Sequence, residues 1–273
     1  MNRDPNVVFD GSIPENYDRY LGPALFEPYA RDLVERLAPR KPKSVLEIAC
    51  GTGIVTRRLR AQLGRDVYLV ATDLNPGMLE FARKKFTDDA NIEWEIADAG
   101  ALPFPDESFE AVVCQFGVMF APDKEAAMRE AFRVLKPGGV FLFNVWDSMQ
   151  QNAFAQIAHE TIASFFERDP PTFYEVPFGM HDARVVRGLL NRAGFDAVEL
   201  SPVKLPCRSA SAADFAIGLV RGNPVSTAIQ ERKVKIDNVI SAVAKKLAER
   251  CGSAPYEDTM QALVWSAERI PSL

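Results

Sequence analysis

Between Ser44 and Trp146 the chain alternates between short runs that are apolar almost without a break and longer segments whose apolar residues return every three or four positions. The runs "SVLEIA" (44–49), "VYLVATD" (67–73), "NIEWEIAD" (91–98), "EAVVCQ" (110–115) and "GVFLFNVW" (139–146) predict strands covered on both faces, because a strand with one wet face would alternate instead. The segments between them predict helices. Asn75 and Pro76 form a cap and first-turn pair ahead of Met78, Leu79, Ala82 and Phe86 at helical spacing. Asp123 caps "KEAAMREAFRVL", whose Ala127, Phe132 and Leu135 turn inward, and "KPGG" (136–139) predicts a turn into the next strand. Asp182 to Arg192 reads as a helix stopped by Gly194, followed by a sixth strand, "FDAVELSPVKL" (195–205), and a last one, "DTMQALVWSAE" (258–268). Strands alternating with helices in this way predict an α/β fold built on a parallel sheet.

Three segments break the alternation: an aromatic-rich helical cap at 1–40, an insertion at 147–181, and a probable helix pair at 207–257. They leave a core of 41–146, continued over 182–206 and closed by 258–273. Insertions at the ends of parallel strands are where such sheets bind ligands, so the three are expected to form an α-helical lid.

Composition narrows the chemistry. The content, 47% hydrophobic and 25% charged, is that of an ordinary globular chain without the apolar stretch of a membrane span. The N-terminus lacks a signal-peptide core, which places the protein in the cytoplasm. Cys50, Cys114, Cys207 and Cys251 are scattered without CxxC spacing, which argues against a zinc site or a disulfide framework, and no metal is expected. A net charge of -5 with two histidines gives no broad basic surface for nucleic acid.

The stretch "VLEIACGTG" (45–53) carries the first functional signal. Gly51 and Gly53, between a strand and a helix start, let a ligand approach backbone N–H groups. From Gly51 the series reads Gly-Thr-Gly-Ile-Val-Thr, so the third glycine of a dinucleotide fingerprint is missing. Glu47 would repel a pyrophosphate and suits a cationic amine. Asp73, closing the second strand, is placed to accept hydrogen bonds from both ribose hydroxyls. Leu74 can pack on an adenine face, and Asp98, followed by Ala99, can accept from the adenine amino group. Adenosine with an amino-acid tail fits this order of groups.

The set "VLEIACGTG", "ATDLNPGML", "ADAGALPFPDESFEAVVCQFGVMF" and "VLKPGGVFLFNVW" resembles the class I S-adenosylmethionine-dependent methyltransferases, in the branch similar to the menaquinone and ubiquinone C-methyltransferases (methyltransferase type 11). The likeness covers roughly residues 9 to 146, with weaker support to about 205. It implies a Rossmann-like, seven-stranded, mostly parallel sheet with helices on both faces and the last strand antiparallel, with S-adenosylmethionine as cofactor. By the same resemblance Gly51 and Gly53 would pass the methionine tail and Glu47 would sit under it. Asp73 would take the ribose, and Asp98 with Ala99 would hold the adenine. Gln115 and Phe116 would border the sulfonium and the tail, while Tyr17 and Tyr20 resemble the N-terminal tyrosines that close over the cofactor in relatives. Met78 completes the cofactor-binding set. Ala49 stands where many members carry glycine, and its methyl is expected to tighten the site slightly.

The acceptor side is read from aromatics. Phe120, Trp146, Phe173, Tyr174 and Phe178 are expected to line a pocket for a small, largely apolar or aromatic acceptor, since the prolines of "PPTFYEVPFGM" block helix and its rings need cover. Phe165 and Phe166 fit one apolar helix face and read as core. Candidate bases are His159 and His181, both in the second insertion, where a histidine is more often packed or at the surface. The competing readings are nicotinamide-dependent oxidoreduction, and a protein that binds S-adenosylmethionine without methyl transfer or uses it for another reaction. The atom methylated and the oligomeric state are open.

Overall fold

In a computed structural model that describes residues 4–87 and 90–271, seven strands join into one sheet. The first three residues of the 1–40 cap and the last two of the 258–273 segment therefore lie outside the described residues. The strands are β1 (Ser44–Glu47), β2 (Tyr68–Asp73), β3 (Ile92–Ile96), β4 (Phe109–Gln115), β5 (Leu135–Trp146), β6 (Ala197–Ser209) and β7 (Tyr256–Glu268), in the order β3-β2-β1-β4-β5-β7-β6. The first five pair in parallel, and β7 runs antiparallel to both β5 and β6. Growth of the sheet reverses direction between β1 and β4, and the C-terminal ends of those two strands border the crevice such a reversal opens.

The unbroken apolar runs are buried, as in β1 and in residues 139–146 of β5. The edge strand β3 departs from this: Glu93 and Glu95 face water, and Ile96 is 51% exposed. The predicted turn at 136–139 is not one. Residues 136–139 belong to β5, with Gly138 at φ 84°, and the register against β4 shifts between Phe109 and Ala111. A left-handed glycine there kinks the strand as a bulge and does not end it. The sixth strand runs to Ser209, past the expected 205, because β7 pairs with it along its whole length.

The helices are α1 (Ile13–Asn16), α2 (Glu27–Leu37), α3 (Ile54–Leu63), α4 (Pro76–Arg83), α5 (Lys124–Val134), α6 (Ala153–Ala163), α7 (Ala183–Ala193), α8 (Ala212–Arg221), α9 (Val225–Glu231) and α10 (Ile236–Cys251). Asp123 and Asp182 cap α5 and α7, accepting from Ala126 N at 2.9 Å and Arg184 N at 2.9 Å. Asn75 stands at the N-cap of α4, but its side chain does not cap the helix; its Oδ1 accepts from Phe9 N at 3.3 Å.

Between α1 and α2, residues Tyr17–Phe26 wind as a π-helix, in which the Glu27 N–H reaches back to Gly22 O. This stretch packs against α8 through two glycines. A Cβ on Gly218 would stand 2.7 Å from Leu21 Cδ2, and one on Gly222 would stand 3.1 Å from Tyr17 Cα. Removing those side chains brings the N-terminal stretch and the third insertion into backbone-level contact beside the crevice. Gly222→Ala is expected to destabilise the fold by about 1–3 kcal/mol, since its Cβ would meet backbone on two sides, Gly218 O at 2.6 Å and Tyr17 at 3.1 Å, that cannot rotate away; a urea-unfolding midpoint equal to the parent's would refute this crowding.

Candidate functional site

A cavity of about 150 Å³ occupies the crevice at the C-terminal ends of β1, β2 and β4 and opens to solvent. Its floor is the turn after β1. Gly51 takes φ 55° there, and no atom lies within 4 Å of where its Cβ would stand. The Asp73 carboxylate braces this turn: Oδ2 accepts from Gly51 N at 2.8 Å and Oδ1 from Asn75 N at 2.8 Å. Burial pushes the Asp73 carboxyl upward, opposed by those two N–H groups. A carboxylate has about four lone-pair sites, so capacity for ligand hydroxyls remains.

Of the residues picked out for the cofactor, the structure brings Tyr17, Ala49, Gly51, Asp73, Leu74, Met78, Asp98, Ala99, Gln115 and Phe116 to the cavity wall. Asp98 holds its loop by accepting from Gly100 N at 2.8 Å. Three others stand elsewhere. Gly53 (φ 79°) faces α4, where a Cβ would meet Ala82 Cβ at 3.2 Å, so its bareness serves helix packing. Tyr20 points away, with the Arg19 guanidinium over its ring at 5.1 Å. Glu47 lies beneath the floor, 2% exposed, with Oε2 buried and unpartnered; Thr52 Oγ1 shares that condition. Two orphaned oxygens under an open glycine turn fit the donor-bearing, cationic tail of S-adenosylmethionine.

Ala49 holds φ 54°, a conformation glycine adopts freely and alanine does not. Its methyl fits because residue 117 is glycine: a Cβ there would stand 2.4 Å from Ala49 Cβ and 2.7 Å from Cys114 Sγ. Phe116 is left-handed too, at φ 51°, and its N–H donates to Asn144 Oδ1 at 3.0 Å.

The other half of the cavity is aromatic. Phe120, Trp146, Phe173, Tyr174 and Phe178 all line it. Trp146 is stacked between Phe116 at 4.0 Å and Phe178 at 5.8 Å, and Phe120 faces Phe173 at 6.4 Å. Neither histidine reaches the cavity. His181 is exposed, with Nδ1 2.8 Å from Phe178 O, and His159 sits on α6 with Nδ1 buried and unpartnered. Phe165 and Phe166 pack against the core.

The sequence reading passed over several wall residues, chiefly Phe9, Leu21, Leu25 and Phe26 of the N-terminal segment, with Phe154 and Leu219 from α6 and α8. Phe26 stacks on Tyr17 at 4.5 Å. Residues nine apart lie on opposite faces of an α-helix, and the wider π winding brings them to one face. The available signal was the aromatic richness of the stretch.

A family model described as a methyltransferase domain matches residues 45–139. The chain is 32% identical, over 172 residues, to the ubiquinone/menaquinone biosynthesis C-methyltransferase UbiE of Serratia proteamaculans, covering 58% of this chain and 68% of that one. Among solved structures, the YcgJ protein of Bacillus subtilis superposes with a TM-score of 0.59 at 18% identity, covering 89% of this chain and 100% of that one. A phosphoethanolamine N-methyltransferase of Haemonchus contortus, solved with S-adenosylhomocysteine, gives 0.61 at 16%, covering 94% and 57%. At these identities the structural likeness is one of fold.

Two outcomes follow from the floor. Burial, with the Asp73 charge adding to it, pushes the Glu47 carboxyl up to about 8 from an ordinary 4.5. The folded chain then holds a proton that the unfolded chain has released, so stability falls as pH rises between those values. Glu47→Gln should therefore raise the melting temperature of the ligand-free protein by about 5 °C or more at pH 8.5 and hardly change it at pH 4.5; equal shifts at both pH values would show the carboxylate to be ionised in the fold. For the second, Gly117→Ala should destabilise the protein, and Ala49→Gly should recover part of the loss, Cys114 accounting for the remainder. A double-mutant cycle with no coupling would separate the two positions.

Proposed function

The chain belongs to the class I S-adenosylmethionine-dependent methyltransferases, and on that premise we propose that it methylates a small, largely apolar or aromatic acceptor held against the aromatic half of the cavity. The enzyme's cofactor is S-adenosylmethionine. When bound, that molecule supplies a methyl group on a positively charged sulfur. In the proposed arrangement Gly51 admits the tail, Asp73 receives the ribose, and Leu74, Met78, Asp98 and Ala99 surround the adenine.

The observation that carries the acceptor reading is continuity: the glycine turn and the stacked wall of Phe116, Trp146 and Phe178 border one cavity. Methyl transfer from a sulfonium disperses charge, so it gains from an apolar, water-excluding wall and from alignment of the two partners. Rings from the N-terminal segment, from the ends of β4 and β5 and from the insertion at 147–181 would supply both. The relatives named UbiE are C-methyltransferases of ubiquinone and menaquinone biosynthesis, and ring-bearing acceptors of that kind suit such a wall. No helix among the described residues is long and apolar enough to cross a membrane.

Titration calorimetry with S-adenosylhomocysteine tests the site. Gly51→Val places a branched side chain at a left-handed position facing open space, and Asp73→Ala removes the brace of the turn. Each is expected to weaken binding by about 100-fold or more while circular dichroism stays native. Unchanged affinity in both variants would mean that the cofactor is held elsewhere.

A further inference from the structure

The charge and hydrogen-bonding inventory of the cavity is one-sided. Among the described residues no lysine, arginine or histidine lines it, and the ionisable groups on its wall are Tyr17, Asp73, Asp98 and Tyr174. Burial pushes the ionisation of both tyrosines upward, so neither offers an anion at neutral pH. Tyr174 has already committed its proton, donating to Leu219 O at 2.8 Å. The cavity therefore presents carboxylates and no cation. A ligand carboxylate or phosphate entering the aromatic half would be desolvated without a partner.

One polar group on this wall has its orientation fixed by its neighbour. Gln115, at the end of β4, places Nε2 3.2 Å from Phe26 O. A carbonyl can only accept, so the amide nitrogen must face it and the oxygen must face the other way. That Oε1 is buried and has no hydrogen-bond partner. Gln115 is flanked in sequence by Phe116, whose ring begins the stacked wall. An unpaired acceptor at the border of the aromatic half calls for a ligand donor.

We infer that the acceptor carries no anionic group and donates an O–H or N–H hydrogen bond to Gln115 Oε1, which makes Gln115 a positioning and selectivity residue. This rests on the methyltransferase reading and adds the chemical class of the acceptor: hydroxylated or amine-bearing rings without an anionic group, as opposed to aromatic acids or phosphate esters. The tie between Gln115 and Phe26 also means that the acceptor's anchor is set by the N-terminal segment that covers it.

The test uses three probes on one skeleton, 2-naphthol, 2-naphthylmethylamine and 2-naphthoate, titrated into the full-length protein saturated with S-adenosylhomocysteine. Naphthol and the amine should bind at least about 100-fold more tightly than naphthoate, a discrimination within what an unpaired buried polar group imposes. Gln115→Leu should weaken naphthol binding about tenfold or more, a larger factor than its effect on S-adenosylhomocysteine, and Gln115→Glu, which keeps the acceptor oxygens, should retain the amine. The inference is overturned if naphthoate binds as well as naphthol, if none of the three binds the loaded protein, if Gln115→Leu leaves naphthol binding intact, or if that variant loses S-adenosylhomocysteine instead, which would assign Oε1 to the cofactor. Failure of the parent protein to bind S-adenosylhomocysteine at all is a separate result that removes the methyltransferase premise first.

Discussion

One buried carboxylate joins two turns. Asp73 receives Gly51 N from the turn after β1 and Asn75 N from the turn after β2, so the ends of adjacent strands are fixed to each other at the edge of the crevice. Burial pushes the Asp73 carboxyl upward, and the two backbone N–H groups it accepts from act against that push. The neighbouring Glu47 is pushed the same way by burial and by the Asp73 charge, and the Thr56 hydroxyl and backbone N–H oppose that only in part. The floor is thus held by one acid and burdened by another. A fold selected for stability alone would have no reason to retain the second, and a cationic ligand above it gives one.

The same floor concentrates unusual backbone. Ala49, Gly51 and Phe116 are all left-handed, and two of the three are not glycine. Such residues cost about 1–3 kcal/mol each and persist only where the surroundings over-determine them. Here the surroundings can be named. The bare Gly117 makes room for the Ala49 methyl, and the backbone and side chain of Asn144 on β5 both receive the Phe116 N–H. Bending the chain at 116 is what turns the Phe116 ring onto Trp146, so the strain at the cofactor floor and the stacking of the acceptor wall share one cause.

Much of the sheet could be read from the chain because unbroken apolar runs are a local property, and the helix cap expected at Asp123 holds as a side-chain hydrogen bond, whereas Asn75 turns its side chain to Phe9 N instead. The residues gathered from the strand ends reach the cavity for a similar reason: a turn fixes its neighbours within a few positions. What could not be read depends on winding or on distant partners. The 3.6-residue period misplaces Phe26 relative to Tyr17, because ten residues there wind as a π-helix. Gly138 bends a strand where glycine after proline suggested a turn, and the reason is β7, whose continuation at Arg269 accepts the Gly138 N–H at 2.7 Å. Gly53 and Tyr20 sit where a motif puts them, but Ala82 and Gly218 decide what they touch.

This difference in legibility follows from how the two halves of the cavity are made. The cofactor half is assembled from turns at the ends of neighbouring strands, and its polar geometry constrains each position tightly. The half proposed for the acceptor takes rings from the N-terminal segment, the ends of β4 and β5 and the insertion at 147–181, and an apolar wall is satisfied by many residues of suitable volume. Shape and burial can therefore drift without changing the cofactor site, and a likeness in motif is a guide to the cofactor more than to the acceptor. Chemical discrimination on such a wall must rest on its few polar atoms. Gln115 is the one that touches both halves: its backbone ends β4 beside the floor, and its amide reaches the N-terminal segment that closes the wall. On the proposed reading, selection of the acceptor and closure of the cavity would be coupled through this side chain.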